Sequence, residues 1–366
     1  MLSYYPALRA KPGEFAACGR LAARFQAHVC PRFVVPPPTE ADPELGRKPT
    51  PDEIAYMMGD RLGKSWPHRR AFLDPQFAAK ALGDDGLAKL FKTAGAVNPH
   101  LLPVLRADDL GTPTRVALLR DGAVSGAIYL DFEEVDPARL VEQVRKTGLR
   151  PERLVLFVDF TGAPLGEDFA PAIAEIFDQL DGVARWHKIV YQASAYPEKL
   201  PVGPNEQIMI PRLEWSTFLA ALKDTGVQSD RLAYGDFAAD CGRMVFPTKK
   251  RKGGARPKPH LRYTGRTHTF VIRGSDTGAP TPAMRAICKK IIESEEFCGR
   301  AFSNADDRIW RNAKGLSDNC GDPSAWRELN TAHHLVRIVH DLGTLAGISF
   351  ADDEVAEFAE QSSFFI

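Results

Sequence analysis

Residues 154–160, Leu-Val-Leu-Phe-Val-Asp-Phe, form an apolar run rich in branched and aromatic side chains that ends at a carboxylate. A strand buried on both faces reads this way, and such strands belong to parallel sheets covered by helices. The phrase recurs. Residues 127–132 read Ala-Ile-Tyr-Leu-Asp-Phe and residues 232–237 read Leu-Ala-Tyr-Gly-Asp-Phe, so three strands deliver Asp-Phe at their C-terminal ends. Further short apolar runs at 4–9, 32–35, 71–73, 100–105 and 188–192 bring the expected strands to eight. Most are separated by amphipathic stretches at helical spacing, such as Leu140, Val141 and Val144, or Ile173, Ile176, Phe177 and Leu180. Pro51 opens one helix beside Asp52 and Glu53, and Asp136-Pro137 supplies an N-cap followed by proline at the first helical position.

Eight strands alternating with helices over residues 1–240 predict an α/β fold, a (β/α)8 TIM-like barrel. An open doubly wound sheet is the alternative, but no G-x-G-x-x-G turn follows the first strand. The pattern changes after Asp240. A basic, Gly- and Pro-containing run holds Lys249, Lys250, Arg251, Lys252, Arg256, Lys258 and Arg262, and short strands are expected at 261–264 and 269–273. Helices are expected around 282–296 and from 322 towards His340. Residues 241–366 should therefore form an α+β extension that supplies the last helix and a cap over the barrel mouth. The Pro-rich stretch between Pro36 and Pro51 is too long for a minimal turn and is expected to be functional or mobile.

Charge adds little: 47 basic and 47 acidic residues give a net charge of +0, so bulk attraction to nucleic acid or membrane is not expected. The six cysteines contain no C-x-x-C pair, which speaks against a zinc ribbon or a disulfide scaffold. With no long apolar run and no leader-like N-terminus, the expectation is a cytoplasmic protein without a membrane partner.

Several short motifs occur in a distinctive order: Tyr5-Pro6, Lys11-x-Gly13-Glu14, Pro211-Arg212, Tyr234-Gly235-Asp236, Arg262-Tyr263, Arg273-Gly274, Phe302-Ser303 with Asp306, and Trp326 with Asn330 and His333-His334. Together they resemble the phage "Beta protein" family over almost the whole chain. The chain departs from that pattern at Phe237, where tyrosine is more usual, and at Asn304-Ala305-Asp306, where a Gly-Asp pair is more usual. The resemblance implies a setting in phages, prophages or anti-phage defence loci, with a phage or defence-system protein as a partner, and it implies no particular reaction.

In a barrel of this type the chemistry sits at the C-terminal ends of the strands. Asp131, Asp159 and Asp236 are expected to converge there, either holding a divalent cation such as Mg²⁺ or Mn²⁺ or raising one another's pKa for acid-base work. The same carboxylates would otherwise bond loop amides or pair with cations. Lys11, Arg106, Arg212 and Arg273 are candidates for binding a phosphate or carboxylate, with Arg9 beside them. Glu14, Tyr263 and Asn330 are expected to contact substrate, with Glu14 otherwise pairing with Lys11 and Asn330 otherwise orienting a histidine. His333 points inward, as a core histidine or as an assisting acid-base group. Adjacent His333 and His334 diverge by about 100° on a helix, which excludes a two-histidine metal clamp. The favoured reading is an enzyme acting on a phosphate-containing substrate, a nucleotide or nucleic acid, in which Asp236→Asn would abolish activity without altering stability. The alternative is a non-catalytic binding protein of a defence or toxin-antitoxin-like system, with the basic run 249–262 contacting nucleic-acid phosphates.

Overall fold

The computed structural model describes residues 3–42, 44–119, 121–244, 246 and 257–350. Strands β1 (Ala7–Arg9), β2 (Arg32–Val34), β3 (Ala71–Asp74), β4 (Leu101–Arg106), β5 (Gly126–Asp131), β6 (Leu154–Asp159) and β7 (Lys188–Ala193) pair in parallel in sequence order. The next strand, β8 (Gln207–Pro211), leaves this sheet, and β9 (Leu232–Asp236) completes its eight members beside β7. Closure comes from a parallel bridge between Tyr4 and Tyr234, with the Tyr5 amide donating to the Tyr234 carbonyl at 2.9 Å. The result is a nearly closed α/β barrel.

Helices follow the strands: α1 (Pro12–Gly19) and α2 (Ala23–Gln26) after β1, α3 (Pro51–Ser65) after β2, α4 (Ala79–Val97) after β3, and α5 (Pro113–Val116) after β4. The series continues with α6 (Pro137–Lys146), α7 (Ala170–Val183) and α8 (Leu213–Asp224). Two of the starts follow directly from local chemistry. Thr50 and Glu53 form a reciprocal capping box around Pro51, and Asp136 accepts from the Arg139 amide ahead of α6.

Strand alternation divides the interior into two layers. Val155 and Phe157 of β6 join Tyr5, Phe72, Val104, Ala127, Val190 and Ala233 in the lumen, whereas Leu154, Leu156 and Val158 face the surrounding helices. Gly235 sits at the closing seam. A Cβ there would lie 2.7 Å from the Tyr5 carbonyl oxygen and 3.0 Å from that of Tyr191, so only glycine lets β9 approach.

The C-terminal part contains β10 (His260–Thr264), β11 (His268–Arg273), α9 (Pro280–Ile292), α10 (Asn304–Ala313) and α11 (Pro323–Leu345). β8 pairs antiparallel with β11, which pairs with β10, so the Pro211-Arg212 motif lies at the end of a strand tied to residues some sixty positions later. α11 serves both units. Trp326, Leu329 and Ala332 pack in the extension, while Leu335, Val336, Ile338, Val339 and Leu342 enter the outer core of the barrel.

The Pro-rich stretch after β2 is anchored. Arg61 donates to Asp42 at 2.7 Å, and Lys11 donates to Glu40 at 2.7 Å. Lys249, Lys250, Arg251, Lys252 and Arg256 lie outside the described residues. Among the described residues, no helix is long and apolar enough to cross a membrane.

Candidate active site at the barrel mouth

The parity that sends Val155 and Phe157 into the lumen also sends Asp159 inward, at the top of the same strand. Its register partner on β5 is Asp131, also inward, and its partner on β7 is Gln192. Arg9, Asp74 and Arg106 end their strands with the same parity, so the apolar lumen is topped by a polar layer. Just below lies Arg32, wholly buried, with its guanidinium 4.9 Å from the Tyr129 ring centroid and 5.2 Å from that of Phe157.

Arg32 donates to Asp74 at 2.9 Å. Tyr129 donates its hydroxyl to Oδ2 of Asp159 at 2.5 Å, and the Thr161 amide donates to Oδ1 at 2.8 Å. Burial raises the carboxyl of Asp159 above the ordinary carboxylate range, against the opposing pull of its Thr161 and Tyr129 hydrogen bonds and of Arg32. Asp74 is raised by burial in the same way, against Arg32. Arg106 lies 5.2 Å from the Tyr129 ring, is 43% exposed and comes no closer to Glu134 than 3.8 Å. An open cleft of about 400 Å³ adjoins this edge, lined in part by Arg106, Tyr129, Asp131 and Arg139.

Asp236 does not join this group. It is the register partner of Ala193, one position beyond Gln192, and shares the outward parity of Leu232 and Tyr234. Oδ1 accepts from the Tyr4 hydroxyl at 2.6 Å and from the Ala238 amide at 2.9 Å, and Oδ2 lies 2.9 Å from Nε2 of His334. Burial alone would raise this carboxyl, but His334 and Tyr4 bring it below its ordinary value. Nδ1 of His334 lies 2.8 Å from the Thr264 hydroxyl. The order Thr264, His334, Asp236 imitates a nucleophile, base and acid, yet all three are buried at the seam between barrel and extension. The expected three-aspartate floor is therefore two aspartates, because a shift of one residue along a strand reverses the face.

His333 is buried in a second network. Nδ1 lies 3.0 Å from Asp306 and Nε2 lies 2.9 Å from the Thr264 carbonyl, so both nitrogens face acceptors. Tyr263 stacks on the ring with centroids 3.8 Å apart and donates to Asp306 at 2.6 Å, and Ser303 also donates to Asp306. Asn330 accepts from the Arg262 amide at 3.0 Å, so it does not orient a histidine. Arg212 is held by Asp341 at 2.8 Å and by two carbonyls, and Arg273 by Asp276 and the Val202 carbonyl. These residues join the extension to itself or to the barrel, and the expected cluster of cations around one anion is dispersed. Lys11 pairs with Glu40 and not with Glu14, which is buried 3.9 Å from Arg327.

Asp240 binds the mouth to the extension. It accepts from Arg9 at 2.5 Å, from Arg262 at 2.7 Å and from Arg327. Burial would raise its carboxyl, but Arg327, Arg262 and Arg9 together hold it well below the ordinary range. Among the described residues, no three His, Cys, Asp or Glu side chains are grouped to share a metal ion.

The family model described as "Beta protein" matches residues 4–340. The chain belongs to the Beta protein family. The match spans the whole barrel, the mouth layer and α11 as far as His340, so in this Beta protein family member the two histidine networks lie within the family region. No curated protein matches. Among solved structures, the chain is similar to the arginine decarboxylase of Paramecium bursaria Chlorella virus, at 10% identity and a TM-score of 0.26, with 65% of this chain and 59% of that one covered. It is also similar to a GH10 xylanase of Thermobacillus composti, at 11% identity and a TM-score of 0.26, covering 65% of this chain and 68% of that one. The chain thus spans less than two thirds of the decarboxylase.

The residues of the mouth that motif reading passed over are Arg32, Tyr129, Gln192 and Asp240. Strand parity could have found Tyr129 and Gln192, each two residues from an inward neighbour. Arg32 opens its strand, where a barrel offers no functional expectation, and its long side chain climbs the lumen to reach Asp74.

Proposed function

We propose that the mouth is an active site acting on a phosphate-containing substrate, a nucleotide or nucleic acid, in a phage-related or anti-phage setting. The observation that supports this reading is the inward, in-register pair Asp131 and Asp159, with Tyr129 on one of its carboxylates and Arg106 at the open edge. A buried carboxyl raised above its ordinary range suits a proton donor, and the more accessible Asp131 beside it suits an acceptor. Adjacent strands lie roughly 4.8 Å apart, which places both groups within reach of one small reacting centre. Arg106 presents a guanidinium fork to an incoming phosphate. Mg²⁺ or Mn²⁺ at this place would be held by these two carboxylates together with substrate oxygens, as Mg²⁺ commonly is.

The test is a turnover screen of the full chain against nucleotides and single- and double-stranded DNA and RNA, with and without Mg²⁺ or Mn²⁺, beside Asp159→Asn and Arg106→Ala. Product that disappears in both variants while their melting temperatures hold supports the mouth. Product unchanged in Asp159→Asn overturns the assignment.

A further inference from the structure

The opposite, N-terminal face of the barrel holds a second cavity, of about 410 Å³. Its walls include His28, His68, Arg69, Arg70 and His100, and its floor includes Tyr5 of the lumen core. Among the described residues, no Asp or Glu lines it. Neither Arg69 nor Arg70 takes part in an ion pair among the described residues. This differs from the mouth, where nearly every cation faces a carboxylate. Nδ1 of His28 is buried there without a hydrogen-bond partner among the described residues.

The segment that carries three of these groups is fixed in place. Asn98 donates its side-chain amide to the carbonyls of Trp66 at 2.9 Å and Arg69 at 2.8 Å, and the Trp66 indole donates to the Arg70 carbonyl at 3.0 Å. His68 holds a left-handed backbone with φ of 53°. A non-glycine residue there carries a conformational cost that the clamped loop sustains. The C-terminal ends of α3 and α4 favour basic neighbours, but only at the last turn of each helix. They do not account for two guanidinium groups and three imidazoles converging on one cavity with no carboxylate.

We propose that this cavity is a binding site for phosphate groups, separate from the mouth. Guanidinium forks match phosphate oxygens bidentately, and imidazoles add donors around them. The preset loop spares the ligand the cost of ordering the site. Two sources carry this chemistry, a free nucleotide or pyrophosphate and the phosphodiester of a nucleic-acid strand. The experiment separates the two.

Binding of inorganic pyrophosphate, ATP and a labelled single-stranded oligonucleotide to the full chain would be measured by calorimetry and anisotropy. The variants are Arg69→Glu/Arg70→Glu, His100→Glu and, as a mouth control, Arg106→Ala. The expected result is a saturable binding event, weakened about tenfold or more in the double variant as loss of charged hydrogen bonds implies, that persists in Arg106→Ala even where that variant loses a separate event at the mouth. Binding of pyrophosphate itself identifies a free phosphate ligand, and binding of the oligonucleotide alone identifies a nucleic-acid backbone. Should the double variant fail to fold, His100→Glu, at an exposed position, gives the same comparison. Absence of binding by all three probes overturns the proposal, as does binding lost in Arg106→Ala but kept in the N-terminal-face variants.

Discussion

Nε2 of His334 lies 2.9 Å from Oδ2 of Asp236, joining the last barrel strand to the last helix across 98 residues of sequence. Two short motifs that look catalytic in the sequence, Tyr-Gly-Asp and His-His, are thereby one buried joint. Asp236 accepts from Tyr4 and the Ala238 amide as well, so a single carboxylate binds β9, the N-terminal segment and α11.

Asp236→Asn should therefore destabilise the protein, contrary to what the motif alone suggests. An amide cannot accept from Tyr4, Ala238 and His334 together, and breaking a buried charged contact costs about 3 kcal/mol. Urea denaturation of Asp236→Asn and His334→Ala checks this, and a midpoint equal to wild type in both would count against the joint.

Gly235→Ala should also destabilise the barrel. The added methyl meets the carbonyl oxygens of Tyr5 and Tyr191, both backbone atoms that cannot swing aside. Overpacking of this kind costs about 1–3 kcal/mol. The loss should be concentrated at the closing seam, so hydrogen exchange at the Tyr5 amide should speed up more than exchange in the middle of β6.

Asp159→Asn should leave stability nearly intact, within about 1 kcal/mol, while abolishing turnover. Burial raises the folded-state pKa of Asp159 above its unfolded value of about 3.9. The folded chain then binds more protons than the unfolded chain between those two values, so this group's contribution to stability falls as pH rises through that window. In the variant that loss disappears. Denaturation midpoints at pH 4, 6 and 8 should show wild type losing ground to Asp159→Asn as pH rises, and a loss in the opposite direction would contradict the assignment.

Asp240 should behave in the reverse sense. Its carboxyl is held below the ordinary range in the fold, so its stabilisation is fully present above about pH 4 and is lost as pH falls through the lower folded value. Asp240→Asn leaves Arg9, Arg262 and Arg327 without their shared anion, at a cost of about 3 kcal/mol near neutrality. The gap between wild type and variant should shrink when both are denatured at pH 3.

The barrel was legible because its evidence is local. The apolar run of β6, the capping signals at Thr50 and Asp136, and the recurrence of eight such strands require only neighbouring residues to be read. β8 was not legible, because Gln207–Pro211 is an exposed strand whose partner lies in β11. The same limit applied to the site. Asp131 and Asp159 end equivalent strands with equivalent parity, and the sequence shows both, whereas Asp236 stands one residue out of phase behind a glycine that looks like part of the same phrase.

Alternation of apolar and polar positions determined the fold class, the strand order and the inward pair of aspartates, since each of these follows from periods of two and 3.6 residues along the chain. Tertiary structure alone decided that His333, His334, Tyr263, Arg212 and Arg273 belong to the seam, that Arg32 reaches Asp74, and that Asp240 gathers three arginines. Those contacts pair long, polar side chains from distant segments, and the free energy that selects among them comes from burial and charge pairing that exist only once the barrel has closed.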